Sequence, residues 1–494
     1  MRETNLRQII KSTSIIAGAQ VIQIIFGVIR TKIIAVLLGP VGVGIAGLYQ
    51  SVMQLITTVF SFGISQSSVK SIAEFEFIDK GKQNRLINSS IILVSVLGIL
   101  AAVATIIFAR PISQYTFNTP EYSIEVTILS ISIILNMIVA NLTAVAQGLR
   151  QLKQIALINI YSSVAGLLIT VPVYYLLGIR GIVLALILLS ISNLIITLLI
   201  IKSKIQFRLP ATSDFKKDSL EMMKLGIALA FSGFLIAASN YFIRIYVTDM
   251  QGIEGVGYLN AANAITTVYL SLIFTAMGTD FYPKIASMNN DNNLINNAVN
   301  DQMLIGVIIA GPIIISFISF PGLIIQVLYS SKFSLATELL KWQLFGTLIK
   351  AFSWPIGFII LAKGLSRIFI ITELFFNISY YFLILLIWKY FHLTSIGISY
   401  FISYILLTLL LLIIVNVKSG FAVSKPVFKV MSVFLILVVG VIYIPEISEN
   451  EIIKIALNIA LILFGLIYSF NYLRKIINIR EVLIKLKLKL FQKR

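Results

Sequence analysis

The stretch from Leu339 to Lys363, LLKWQLFGTLIKAFSWPIGFIILAK, decides how this chain is read. It is long and apolar enough to cross a bilayer, for which about 20 apolar residues suffice. Lys350 stands near its middle, beyond the reach of a lysine stem to either interface. A charge at that depth costs roughly 2.5 to 3.5 kcal/mol on insertion. The residue therefore faces protein or water rather than lipid. Pro355, one turn further on and next to Trp354, removes an N–H and crowds the preceding turn, so the sequence predicts a kink and a hinge there. A bent, cationic helix in an apolar chain points to a wet cavity that receives negative charge.

The whole chain has the composition of a membrane protein: 58% of its 494 residues are apolar and 12% charged. There is no cysteine and one histidine, His392. Disulfides, thiolate chemistry and Cys- or His-rich metal sites are thus excluded, and no metal or cofactor is expected. His392 follows Trp388, Lys389, Tyr390 and Phe391 and reads as an interfacial side chain. The net charge of +19 would suggest nucleic acid on a soluble protein. On a membrane protein it marks the cytoplasmic face, so no nucleic-acid partner is expected.

Fourteen apolar segments can be drawn, too long and too rich in unbroken Leu/Ile runs for barrel strands. The fold class expected is an all-α polytopic membrane protein of about 14 transmembrane helices. With the N-terminus inside, 29 of the 39 Lys and Arg fall in cytoplasmic segments. Six, Arg110, Arg180, Lys332, Lys341, Lys389 and Lys454, fall outside, and Arg30, Lys32, Arg244 and Lys350 lie within spans. Both termini, Pro210 and Asn290 are accordingly expected in the cytoplasm, with Thr119 and Glu449 outside. Residues 1–201 form an N-lobe of six spans, 202–221 a polar linker and 222–416 a C-lobe of six more. Residues 417–473 carry spans thirteen and fourteen, and 474–494 a basic tail. The alternating Leu/Lys pattern after Arg480 fits a strand but reads better as an interfacial segment on anionic lipid.

An internal repeat supports the division into lobes. GVIRTKIIAVLLGPVGVGIAGLYQS begins at Gly27 and YFIRIYVTDMQGIEGVGYLNAANAI at Tyr241. Each has a helix bearing an arginine, a glycine-containing turn and Val-Gly opening a second helix. Six spans between repeats imply a pseudo-two-fold axis along the membrane normal. The Gly39–Gly44 run lacks the Lys-Ser/Thr ending of a phosphate loop and reads as a tight interhelical turn.

Phe333, Trp342, Gln343, Gly346, Lys350, Gly357, Ala362, Lys363 and Glu373 stand at spacings that resemble the Wzx-type flippases of the MOP exporter superfamily. These are the O-antigen and enterobacterial-common-antigen translocases. The resemblance covers roughly the first 415 residues and is densest from Ser331 to Glu373. It implies two six-helix lobes, alternating access and an undecaprenyl-diphosphate-linked oligosaccharide as cargo. It also implies a place in the bacterial inner membrane, with glycan polymerase machinery as a candidate partner beside the bilayer itself. Thr347 stands where the family often has an acid, so that acid's role in ion coupling does not carry over.

The intramembrane cations Arg30, Lys32, Arg244 and Lys350 are the candidate substrate-binding residues, each with an interfacial or ion-paired role as its plainer reading. Arg30 and Lys32, two positions apart, are turned roughly 200° from one another and cannot both face one cavity squarely. Glu373 is a candidate for charge balance or proton exchange, and Asp280 reads as a helix-end residue. No catalytic constellation is visible. The leading reading is a flippase moving a diphosphate-linked glycan through a cationic lumen. A multidrug exporter is the alternative, for which a lumen rich in acids would be the better fit. A membrane-embedded glycan polymerase or ligase is the second alternative, for which a large external loop is expected and none is seen.

Overall fold

The structure, a computed structural model, describes residues 2–76, 78–202, 210–270, 274, 277–278, 281, 284–288 and 291–476. The segment after Arg480, residues 203–209 of the linker, Asp280 and Asn290 lie outside the described residues. Among the described residues every regular element is a helix. These are α1 (Arg2–Ser61), α2 (Ile64–Glu74), α3 (Lys80–Ile107), α4 (Ala109–Phe117), α5 (Ser123–Gly148), α6 (Leu152–Leu177), α7 (Ile182–Ile201) and α8 (Thr212–Asn263). A π-helical turn, Ala264–Tyr269, follows α8. Then come α9 (Asn292–Ser319), α10 (Pro321–Leu328), α11 (Ala336–Ala362), α12 (Ser366–Phe391), α13 (Thr394–Ser419), α14 (Lys425–Ile447) and α15 (Glu451–Ile476).

Eleven helical segments among the described residues are long and apolar enough to cross a membrane. Three of them, of 44, 50 and 39 residues, exceed what one crossing requires. Each is interrupted where glycine allows the chain to turn: at Gly39 in α1, at Gly178–Gly181 between α6 and α7, and at Gly252 in α8. Of the 18-residue apolar stretches in these eleven, the one in α11 around Lys350 has the largest buried share, 67%. That helix runs unbroken through Pro355, whose ring is buried.

Packing gathers the chain into two compact units. The first comprises the residues up to Ala261 together with Ile325–Ser334, and the second comprises Ala262–Ile324 and the chain from Leu335 onward. This is a division by packing, whereas the lobes drawn from the sequence divide the chain by topology.

The first unit contains both repeat hairpins. Gly39 (φ 64°, ψ −171°) and Gly252 (φ 73°, ψ 177°) adopt the same conformation, a region essentially reserved for glycine. Pro40 then opens the second half of α1, where its missing N–H is harmless and its fixed φ suits a first helical turn. Five residues after each turn come Gly44 and Gly257. A β-carbon at Gly44 would overlap the Ile253 carbonyl, and one at Gly257 would overlap the Pro40 carbonyl. Counted from the two turns, Pro40 and Ile253 are equivalent, so the two contacts are reciprocal copies of one helix crossing. Bare backbones let the helices approach this closely.

In the second unit, α11 and α13 cross in a similar way. The Tyr400 ring lies over Gly346, and Gly397 lies against the Leu339 carbonyl and the Trp342 β-carbon. Two residues of the Ser331–Glu373 stretch thus serve helix packing: Gly346 makes room for an aromatic ring, and Trp342 packs on Phe345 and Phe401 at 5.4 and 5.9 Å. Lys363 closes the other end, donating to Asn292 Oδ1 in the first turn of α9 at 2.6 Å. The helix α14 docks on α9 by placing the buried Phe434 ring over Gly311.

Candidate functional site

The two arginines occupy non-equivalent places in the repeat. Arg30 precedes its turn glycine by nine residues and Arg244 by eight, an offset of about 100° around the helix. Their surroundings differ accordingly. Arg30 is half-buried, with its guanidinium against Gly166 of α6 and within electrostatic reach of Tyr174 on the same helix. Arg244 turns toward its own hairpin. Its Nε and Nη2 donate to Asn260 Oδ1 at 3.2 and 3.1 Å, and its Nη1 donates to the Asn240 carbonyl at 3.1 Å. Asn260 in turn donates through Nδ2 to the Val43 carbonyl at 3.2 Å. A guanidinium, an amide and a backbone carbonyl thereby link the two hairpins of the first unit.

Lys32 has a different partner. Its ammonium donates to the Gln326 carbonyl at 2.6 Å. Gln326 lies in the last turn of α10, where carbonyls lack helical partners and the helix dipole favours a cation. The segment that follows is tied to the same unit: Phe333 is fully buried against Tyr258 and Tyr329, with ring centroids 6.2 and 5.0 Å away.

Lys350 lies in the second unit between two aromatic rings, its Nζ 5.4 Å from the centroid of Phe274 and 5.9 Å from that of Tyr404. Cation–π attraction strengthens when the cation is desolvated, so these rings are a favourable setting for the ammonium. Glu373, half-buried on α12, interacts electrostatically with Lys350. Around Tyr404 lie Phe376 and Tyr400 at 4.7 and 4.8 Å, which extend the aromatic wall across α12 and α13. Two turns above Lys350, the buried Gln343 donates to Asn263 Oδ1 at 2.9 Å and accepts from Thr266 Oγ1 at 3.3 Å. This knot pins the π-helical turn to α11. Pro355 leaves the Ala351 carbonyl without its helical donor, and that oxygen lies beside Gly306 of α9.

Among the sequence-derived candidates, the structure thus brings Lys350 and Glu373 into one electrostatic neighbourhood. It sets Arg30 against α6, Arg244 against Asn260 and Lys32 against the end of α10. Sequence reading missed Asn260, the Asn263–Thr266–Gln343 knot and the rings of Phe274 and Tyr404. Only Asn260 left a legible signal. It is a polar residue standing where the first repeat has Gly47.

The family described as "Polysaccharide biosynthesis protein" matches residues 9–289. Among curated proteins, the chain is similar to the lipid III flippase of Escherichia coli (strain K12), with 22% identity over 72% of this chain and 86% of that protein. Among solved structures, it is similar to an inward-facing multidrug-resistance MATE family transporter of the MOP superfamily. The TM-score is 0.69 and the identity 14%, over 81% of this chain and 94% of the other. It is likewise similar to the lipid II flippase MurJ in an inward closed conformation, with a TM-score of 0.66 and 17% identity over 93% of this chain and 98% of that one. These likenesses establish the fold as the one found in MOP-superfamily transporters. With more than half of its length matched by that family, the chain belongs to the polysaccharide biosynthesis protein family.

Proposed function

We propose that this protein is a flippase that carries a polyprenyl-diphosphate-linked oligosaccharide, of the O-antigen repeat-unit type, from the cytoplasmic to the outer leaflet. The observation that carries this reading is the position of Lys350. It is an ammonium mid-way along a largely buried apolar helix, set between the rings of Phe274 and Tyr404. A diphosphate requires such a cation along a wet path, while its isoprenoid tail stays in hydrocarbon beside the helices. The similarity to a lipid III flippase supports a lipid-linked cargo.

In this reading Arg30 and Arg244 supply further positive charge, Lys32 an auxiliary one, and Glu373 balances Lys350 or exchanges a proton. Each over-long apolar segment is crossed twice, which gives fourteen spans and both termini in the cytoplasm of the bacterial inner membrane. The lobes rock between inward-open and outward-open states about the fixed charges. Glycan polymerase machinery would then take over the cargo at the outer face. Impermeant labelling of single cysteines at positions 119 and 210 tests the orientation: position 119 is expected to react from outside and position 210 to be protected. Deleting the gene tests the activity. Lipid-linked repeat units are expected to accumulate in the cytoplasmic leaflet while surface glycan is lost, and accumulation in the outer leaflet would point to a polymerase instead.

A further inference from the structure

The face of α11 that carries Lys350 changes character along its length. On the N-terminal side Gln343, Gly346 and Thr347 are buried. From Lys350 onward the same face is only half-buried, through Trp354, Gly357, Phe358 and Leu361. A β-carbon at Gly357 would meet nothing within 4 Å, so space lies beside it. The half-exposed Trp354 is positioned by Phe274 at 5.8 Å, by Phe358 at 4.7 Å, and by Gly278, which leaves room for the edge of its indole. Its indole N–H has no protein acceptor among the described residues. An aliphatic residue or phenylalanine would fill such a place without leaving a donor unpartnered by protein.

We propose that Trp354, supported by Phe358, is a stacking platform for the sugar nearest the diphosphate of the cargo, an inference that rests on the lipid-linked oligosaccharide reading above. Trp354 lies one helical turn from Lys350, about 6 Å by helical rise, and Phe358 lies two turns away. That is the scale of a hexose joined directly to a phosphate. With the diphosphate at Lys350, the first pyranose lies over the indole. Its C–H face meets the ring, and a hydroxyl or acetamido oxygen accepts the indole N–H. Lys350 thus selects the charge common to all such lipids, and Trp354 selects for the presence of a sugar.

The test is a binding titration of the purified full-length protein in lipid nanodiscs with two probes: polyprenyl diphosphate, and the same lipid carrying one N-acetylhexosamine. The wild-type protein is expected to bind the sugar-bearing lipid about tenfold more tightly, a difference of about 1.4 kcal/mol. Trp354→Ala is expected to erase that preference while still binding the bare lipid, which also reports that the variant is folded. Trp354→Phe, which keeps a stacking ring but loses the N–H, is expected to keep part of it. A preference that survives Trp354→Ala, or one lost equally in Trp354→Phe, overturns the platform. Equal binding of both lipids by the wild-type protein overturns the platform alone, and binding of neither overturns the lipid-linked reading with it.

Discussion

Asn260 fills the space that a side chain at Gly47 would occupy, and the two positions are equivalent when the repeats are counted from their turn glycines. One hairpin is hollow where the other is polar, so an amide from the second reaches the Val43 carbonyl of the first while holding Arg244. Gly47→Ala is expected to displace Asn260 and to release both bonds, at about 1–3 kcal/mol. Asn260→Ala should cost a similar amount, and the double variant little more than either alone, because both break one network. Gly27→Ala, with nothing within 4 Å of the new methyl group, is the control and should be neutral or slightly stabilising. Thermal unfolding of the purified variants measures all four.

The turns at Gly39 and Gly252 share one backbone conformation that side chains avoid. Alanine at either is expected to cost on the order of 1–3 kcal/mol, and the two losses should match within experimental error. Unequal losses in the same unfolding assay would show that one turn relaxes where the other does not.

Much of this architecture was legible in the sequence because lipid imposes simple rules. Apolar runs marked the helices, and a charge at the centre of one, Lys350, marked a position that needs partners other than lipid. The two Val-Gly hairpins declared a duplication whose matching turns the structure contains. The partners of the polar side chains were not legible. An amide such as Gln343 can bond any facing group, and only the tertiary packing of α11 on the π-helical turn selects Asn263 and Thr266. Lys32 and the Gln326 carbonyl are separated by 294 residues, so no local pattern could join them. The one-residue difference in arginine spacing was visible in the sequence. Its consequence, two arginines with unrelated surroundings, depends on the tertiary packing of the two hairpins.

An ion-pair site lies near the start of α3. Arg85 meets Asp218, which is 2% exposed, at 3.1 Å, and Asp214, which is 43% exposed, also at 3.1 Å. Ser89 adds a hydroxyl contact to Asp218 at 3.4 Å. Arg85→Ala strands a buried carboxylate and is expected to cost about 3–5 kcal/mol. Asp214→Ala removes only the exposed arm and should cost about 0–1 kcal/mol. Melting temperatures of the two variants in one detergent would reveal the asymmetry, and similar losses would mean that Asp218 is satisfied by other groups.

At Lys350, alanine removes the cation, whereas arginine keeps the charge with a different shape. Lys350→Ala is expected to lower surface glycan by about tenfold or more at matched protein level, the range of a charge-assisted bond lost. Membrane insertion should not suffer, since removing a central charge favours it. Lys350→Arg should retain part of the activity. Full activity of the alanine variant would make Lys350 a structural charge held by Phe274 and Tyr404.

The most direct measurement is flipping itself. The purified protein is reconstituted into liposomes with a fluorescently labelled polyprenyl-diphosphate-linked oligosaccharide, and the label on the outer surface is destroyed by an impermeant reductant. Active protein is predicted to expose nearly all of the labelled lipid with time and Lys350→Ala to do so about tenfold more slowly or slower still, while protein-free liposomes stop near the half that began outside. If wild-type liposomes also stop there, the protein does not flip this class of lipid.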